Sequence, residues 1–109
     1  KGADPFQYKL VTPEHPDSGF LTLLTTFMFP GLEVLIDGEY KPIKPIKNAV
    51  IVNLGQMFER IANYKIKATM HRVRDIGCER YSCPYFFDPK HSARIAPTLL
   101  ESSRTSCED

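Results

Sequence analysis

The chain has 109 residues, which allows one domain at most. Its content is 42% hydrophobic and 25% charged, ordinary for a globular protein. Fourteen basic residues against thirteen acidic ones leave a net charge of +1, and the basic residues are scattered, which excludes the electrostatic footprint of a nucleic-acid or acidic-lipid binder.

Residues 1–12 read as an extended N-terminal segment with one apolar patch, Tyr8 to Val11, leading into a loop that presents His15 and Asp17. Phe20 to Thr26 is apolar and β-branched, bounded by Gly19 and Pro30, which predicts a strand. Gly31 to Ile36 is a second strand, and Asp37-Gly38 is the two-residue turn of a hairpin. Glu39 to Pro45 returns as its partner, and Pro42 and Pro45 push that strand to a sheet edge or a bulge. After a turn at Lys47-Asn48, the apolar run Ala49 to Leu54 fits a strand buried on both faces. Gly55 to Ile61 reads as one or two helical turns. Tyr64 to Met70 alternates polar and apolar, and His71-Arg72-Val73 extends the same predicted strand. Arg80 to Phe87 is the last strand; Asp88-Pro89 ends it, and residues 90–109 form a tail that turns polar from Glu101. Six strands with almost no helix predict an all-β sandwich or barrel, with residues 13–89 as its core.

Three cysteines, Cys78, Cys83 and Cys107, form no regular framework, so reduced thiols and a cytoplasmic location are expected. Cys78 and Cys83 lack a second pair and do not read as a zinc site. No apolar run approaches the ~20 residues that cross a bilayer as a helix. The first residues show no signal-peptide core and no initiator Met, so a fragment or a processed piece is expected.

Two imidazoles and one carboxylate are the donor set of a facial iron(II) site. His15 and Asp17 are two positions apart and can reach one ion, with His71 as the third donor. By strand alternation His71 shares a face with Thr69 and Val73, and Arg80, Ser82, Pro84 and Phe86 share a face of the last strand. The Arg80 guanidinium can take a carboxylate with two parallel hydrogen bonds, to which the Ser82 hydroxyl adds a third. Phe86 would then shape the substrate side. Each residue also has a plainer reading: a structural His15, Asp17 capping the turn before Ser18-Gly19, and Arg80 as a solvated strand residue beside Glu79.

The ordered pieces His15-Pro16-Asp17-Ser18-Gly19-Phe20-Leu21-Thr22-Leu23-Leu24, Gly31-Leu32-Glu33-Val34, Ala49 to Gly55, Lys67 to Val73 and Arg80 to Phe87 resemble a known family. It is the isopenicillin N synthase-like group of iron(II)/2-oxoglutarate-dependent dioxygenases, in its C-terminal catalytic portion. An H-x-D motif, a His 54 positions after the Asp, and R-x-S beginning nine positions after that His carry the resemblance. It implies a double-stranded β-helix (jelly roll), incomplete in this chain because eight strands are needed and six are counted. It also implies His15, Asp17 and His71 as ligands of Fe(2+), with Arg80 and Ser82 binding 2-oxoglutarate. O2 would be the second co-substrate, ascorbate an accessory reductant, and a small organic molecule the substrate, hydroxylated, desaturated or cyclised with release of succinate and CO2.

The chain departs from the family pattern at Pro16, where Thr is usual, at Gln56, where Asp is common, and at Asn63-Tyr64, where Asn-Gly is common. Pro16 is expected to point away from the metal and stiffen its loop, and Tyr64 to resist the positive φ that Gly accepts. No upstream strand with a co-substrate Tyr is evident, Tyr8 being too close to His15. An open sheet edge is therefore expected, covered by another chain or by a missing N-terminal region. Two other readings compete with the oxygenase: a non-catalytic interaction module derived from one, and an iron/O2 oxidase of the same family that does not use 2-oxoglutarate.

Overall fold

Seven strands and one short helix account for the regular structure of residues 9–97, which the computed structural model describes. The strands are β1 (Leu10–His15), β2 (Leu21–Thr25), β3 (Leu32–Ile36), β4 (Glu39–Pro42), β5 (Ile51–Leu54), β6 (His71–Arg74) and β7 (Cys83–Phe87), with α1 (Gln56–Ile61) between β5 and β6. They form two antiparallel sheets, ordered β1-β6-β3-β4 and β5-β2-β7. The expectations for Tyr8, Cys107 and the polar tail from Glu101 lie outside the described residues. No helix among the described residues is long and apolar enough to cross a membrane.

The hairpin between β3 and β4 forms as its sequence dictates. Asp37 and Gly38 both take positive φ, 52° and 82°, the turn whose twist matches the flanking strands. Pro42 ends β4, which lies at a sheet edge, and Asn48 takes a positive φ of 62° in the turn before β5. The helical turns predicted after Gly55 are α1, with Gly55 at its N-cap.

Four expectations are corrected. The extended segment before His15 is a true strand, β1, which raises the count to seven; Pro13 lacks an N–H, and the β1–β6 register shifts on either side of Thr12. No strand forms over Tyr64 to Met70. Lys65 N–H donates to the Ala62 carbonyl and Ala68 N–H to Glu59 Oε1, and only at its end does the Met70 carbonyl accept from Leu35 N–H on β3. The last strand starts at Cys83, so Arg80 and Ser82 lie in the segment before β7. The β5 run is not buried on both faces, since it edges its sheet and Val50 and Val52 are more than half exposed.

That exposure belongs to a whole face. Val52, Leu23 and Tyr85 are direct cross-strand partners on β5, β2 and β7, and all three are exposed. The opposite face of the same sheet turns Thr22, Leu24, Asn53 and Phe86 toward the four-stranded sheet, across a shared cavity.

One departure from the family pattern, Asn63-Tyr64, lies in a left-handed turn. Asn63 and Tyr64 take φ of 55° and 62°, and Lys65 N–H closes the turn on Ala62 at 3.1 Å. Tyr64 thus adopts the conformation it was expected to resist, with the strain a bulky side chain carries there.

Candidate metal centre

The end of β1 and the start of β6 bring two imidazoles together. His15 and His71 are direct partners in the β1–β6 ladder, with ring centroids 4.3 Å apart. The loop after β1 then turns Asp17 back between them. Asp17 Oδ1 lies 3.7 Å from His15 Nε2 and 3.3 Å from His71 Nε2. One donor atom from each residue falls within 4.8 Å of the others. Adjacent ligands about 2.1 Å from one ion are about 3 Å apart, so small side-chain rotations suit the set to a metal.

The remaining donors of these groups are already engaged. His15 Nδ1 is 2.8 Å from the Pro13 carbonyl oxygen, and His71 Nδ1 is 3.0 Å from that of Thr69. A carbonyl only accepts, so each Nδ1 carries a proton, and Nε2 is the nitrogen of each ring left facing Asp17. Asp17 Oδ2 accepts from the Thr22 hydroxyl at 2.6 Å and from Asn53 Nδ2 at 2.8 Å, which leaves Oδ1 directed at the imidazoles. Burial pushes the Asp17 carboxyl up. The Thr22 and Asn53 hydrogen bonds, with His71 and His15 beside it, outweigh that and hold it below the ordinary value. A carboxylate kept ionised among two neutral-capable imidazoles is the donor chemistry of a divalent cation site.

The Asp17 loop is fixed from behind by α1. Gln56, Gly55 and Met57 donate their N–H groups to the carbonyls of Asp17, Phe20 and Gly19, each at 2.8–2.9 Å. This contact admits no side chain at Gly55, where a Cβ would lie 2.1 Å from the Gly19 oxygen. Asp17 therefore does not cap the turn at Ser18-Gly19; main-chain amides do that work and free its carboxylate for the centre.

A cavity of about 210 Å³ opens beside the triad and includes Arg80, Ser82, Pro84 and Phe86, as strand parity predicted despite the later start of β7. Arg80 is half-buried, with Nε donating to the Pro30 carbonyl at 2.7 Å, and burial lowers its pKa from the ordinary value. No Asp or Glu pairs with it among the described residues. Its two Nη groups are the donors that remain for an anion. A second cavity of about 420 Å³ shares His15, Asp17 and Phe86 with the first and adds Pro16, Ser18, Gly19 and Asp88. Phe86 thus stands between the two, and Pro16 faces only the outer one.

The family model of the 2OG-Fe(II) oxygenase superfamily matches residues 2–89. The chain belongs to that superfamily. This 2OG-Fe(II) oxygenase chain is 38% identical to Protein DMR6-LIKE OXYGENASE 2 of Arabidopsis thaliana over 86 residues, 78% of the chain and 25% of the relative. Its fold is similar to that of the dioxygenase for auxin oxidation 1 from Arabidopsis thaliana in its binary complex with 2-oxoglutarate, with a TM-score of 0.77, 31% identity, and coverage of 86% of this chain and 38% of that one. It is likewise similar to JOX2 in complex with 2OG, Fe and JA, with a TM-score of 0.76 at 34% identity, covering 84% and 28%. The chain spans about a quarter of the length of the curated relatives it matches. The fold is accordingly the double-stranded β-helix, with seven of its strands among the described residues.

Two residues of the centre were not singled out in the sequence, Thr22 and Asn53. Asn53 did carry a signal, being the one amide inside the apolar run from Ala49 to Leu54.

Proposed function

We propose that this chain forms the iron- and co-substrate-binding core of an oxygenase that oxidises a small organic molecule. Iron(II) would be held by His15 Nε2, Asp17 Oδ1 and His71 Nε2, and Arg80 with Ser82 would take the distal carboxylate of 2-oxoglutarate. When bound, the metal supplies O2 activation coupled to decarboxylation of the co-substrate. One O2, one 2-oxoglutarate and one substrate C–H give succinate, CO2 and a hydroxylated product, or a desaturated or cyclised product with water. The carrying observation is that three donor atoms converge while every other donor on the same groups is occupied.

The chain's own residues then have separate tasks. The Pro13 and Thr69 carbonyls set the tautomers, while Thr22 and Asn53 orient the carboxylate. Pro30 aims the Arg80 guanidinium, whose positive charge in a half-buried cavity favours an anionic ligand. A cavity of 210 Å³ is below the about 300–1,000 Å³ of drug-sized sites, which suits a five-carbon diacid, and the outer cavity beyond Phe86 is the place for substrate. The relatives crystallised with 2-oxoglutarate, or with 2OG and Fe, support this reading. Cytoplasmic location belongs to the same proposal, since Cys78 and Cys83 are free and exposed.

Anaerobic addition of iron(II) and 2-oxoglutarate should give a weak visible charge-transfer band, and aerobic incubation should release succinate. His71→Ala should abolish both, and Arg80→Met should raise the 2-oxoglutarate requirement. A folded chain with neither band nor succinate overturns the proposal. The interaction-module reading keeps the metal donors without turnover. A band with equal background succinate in the native chain and His71→Ala would support it.

A further inference from the structure

The outer face of the four-stranded sheet carries a buried charge that the metal centre does not use. Glu33, on β3, is 2% exposed, and Arg72 Nε and Arg74 Nε lie 2.7 and 3.6 Å from its two oxygens. The Arg72 guanidinium sits 3.8 Å from the centroid of the Tyr40 ring. The Tyr40 hydroxyl in turn donates to Glu14 Oε1. Glu14, Arg72, Glu33 and Tyr40 come one from each strand of the sheet, in its order β1-β6-β3-β4. Strands lie about 4.8 Å apart, so this belt crosses about 14 Å of sheet.

Two of its members, Glu14 and Arg72, are sequence neighbours of the metal donors. Glu14 precedes His15 and Arg72 follows His71, so alternation places the belt directly behind the two imidazoles. The β1–β6 ladder is irregular here. The β1–β6 register shifts between Leu10 and Thr12 and again between Thr12 and His15, and Pro13 has no N–H to donate. A side-chain tie just ahead of His15 adds to the hold that the irregular ladder gives. We infer that Tyr40 is a positioning residue for the metal centre, locking Glu14 on β1 over Arg72 on β6 and so fixing the spacing of His15 and His71. This inference rests on the assignment of those histidines as metal ligands.

Tyr40→Phe tests it, because the ring stays over Arg72 and only the hydroxyl tie is lost. Titration of the 109-residue chain with cobalt(II), read by its visible ligand-field bands, gives both affinity and ligand geometry. If the unmodified chain gives no such bands, the ligand assignment itself fails. If it does, Tyr40→Phe should bind about tenfold more weakly, with altered band shape, the size of effect seen for outer-shell partners of metal ligands. Glu14→Ala breaks the same tie from the other side and should lose the same factor, with no further loss in the double variant. Tyr81→Phe removes a similar exposed bond, to Glu79 at 2.9 Å, and should leave affinity unchanged. Affinity within about twofold of the unmodified chain in Tyr40→Phe or Glu14→Ala, whatever their melting temperatures, overturns the inference.

Discussion

Asn53→Leu separates the metal centre from the fold. Asn53 stands in β5 among apolar residues, so a leucine of similar size should keep the strand. What it removes is one of two hydrogen bonds to Asp17 Oδ2, at 2.8 Å, leaving the Thr22 hydroxyl at 2.6 Å. The Asp17 side chain is only 13% exposed, so little water replaces the amide. A hydrogen bond to a charged group contributes about 1.5–3 kcal/mol. Asp17 is ionised with and without metal, so part of that loss appears in both states and cancels from the affinity. The part that remains is the cost of fixing a carboxylate now free to swing, about 1.4 kcal/mol, or about a tenfold weaker Kd. Anaerobic iron(II) titration measures it, alongside urea unfolding of the metal-free chain. Thr22→Val should give a similar loss, and the double variant more than the sum, because Oδ2 then has neither donor. A folded Asn53→Leu chain whose Kd moves by less than about twofold would refute the role given to this amide.

The other predictions concern backbone and pH. Gly55→Ala drives a Cβ to 2.1 Å from the Gly19 carbonyl oxygen, a contact no side-chain motion relieves. It should destabilise the chain by about 3 kcal/mol in chemical denaturation and weaken metal binding through the displaced Asp17 loop, and an unchanged midpoint would show the two loops are not tightly apposed. Tyr64→Gly relieves a left-handed residue whose side chain is half exposed. Its urea midpoint should rise by the equivalent of up to about 1 kcal/mol, and a fall would mean the ring's contacts outweigh the strain. Asp17 has its folded-state pKa depressed below 3.8, so its ionised form favours folding above that value and the contribution is lost as pH falls through the lower one. The metal-free chain should therefore lose stability below about pH 4, and Asp17→Asn should flatten that part of the profile.

The turns were legible because their chemistry is local. Asp37-Gly38 and Asn48 accept positive φ readily, and both turns formed where the residues placed them. Strand parity was equally sound, since it put Arg80, Ser82 and Phe86 on the cavity side even though only Phe86 lies inside β7. The failures came where a distant partner decided the outcome. The Tyr64 to Met70 alternation lost to α1, whose Glu59 side chain captures the Ala68 N–H. β1 forms despite Pro13 because β6 offers it a pairing edge, which no feature of residues 10–15 announces. The apolar run of β5 suggested burial on both faces, but apolar residues state only what they tolerate, and one face of that sheet is open. The grouping of His15, Asp17 and His71 was legible from residue type and spacing together with the family resemblance. Thr22 and Asn53 were not, because orienting a carboxylate leaves no motif, only one amide out of place in a strand.

The two histidines are steered by main-chain oxygens, those of Pro13 and Thr69, rather than by side chains. An oxygen of the peptide backbone is present whatever residue occupies the position. The tautomer of each imidazole is thus beyond the reach of point substitution, while the Asp17 carboxylate depends on two side chains that a single codon change can remove. A saturation scan of the chain should reflect this asymmetry: silence at Thr69 for metal retention, and sensitivity at Thr22 and Asn53. Drift or design can therefore reach the orientation of the acid and the spacing of the two strands, but not the tautomers, which are anchored to the one part of the chain that every variant inherits.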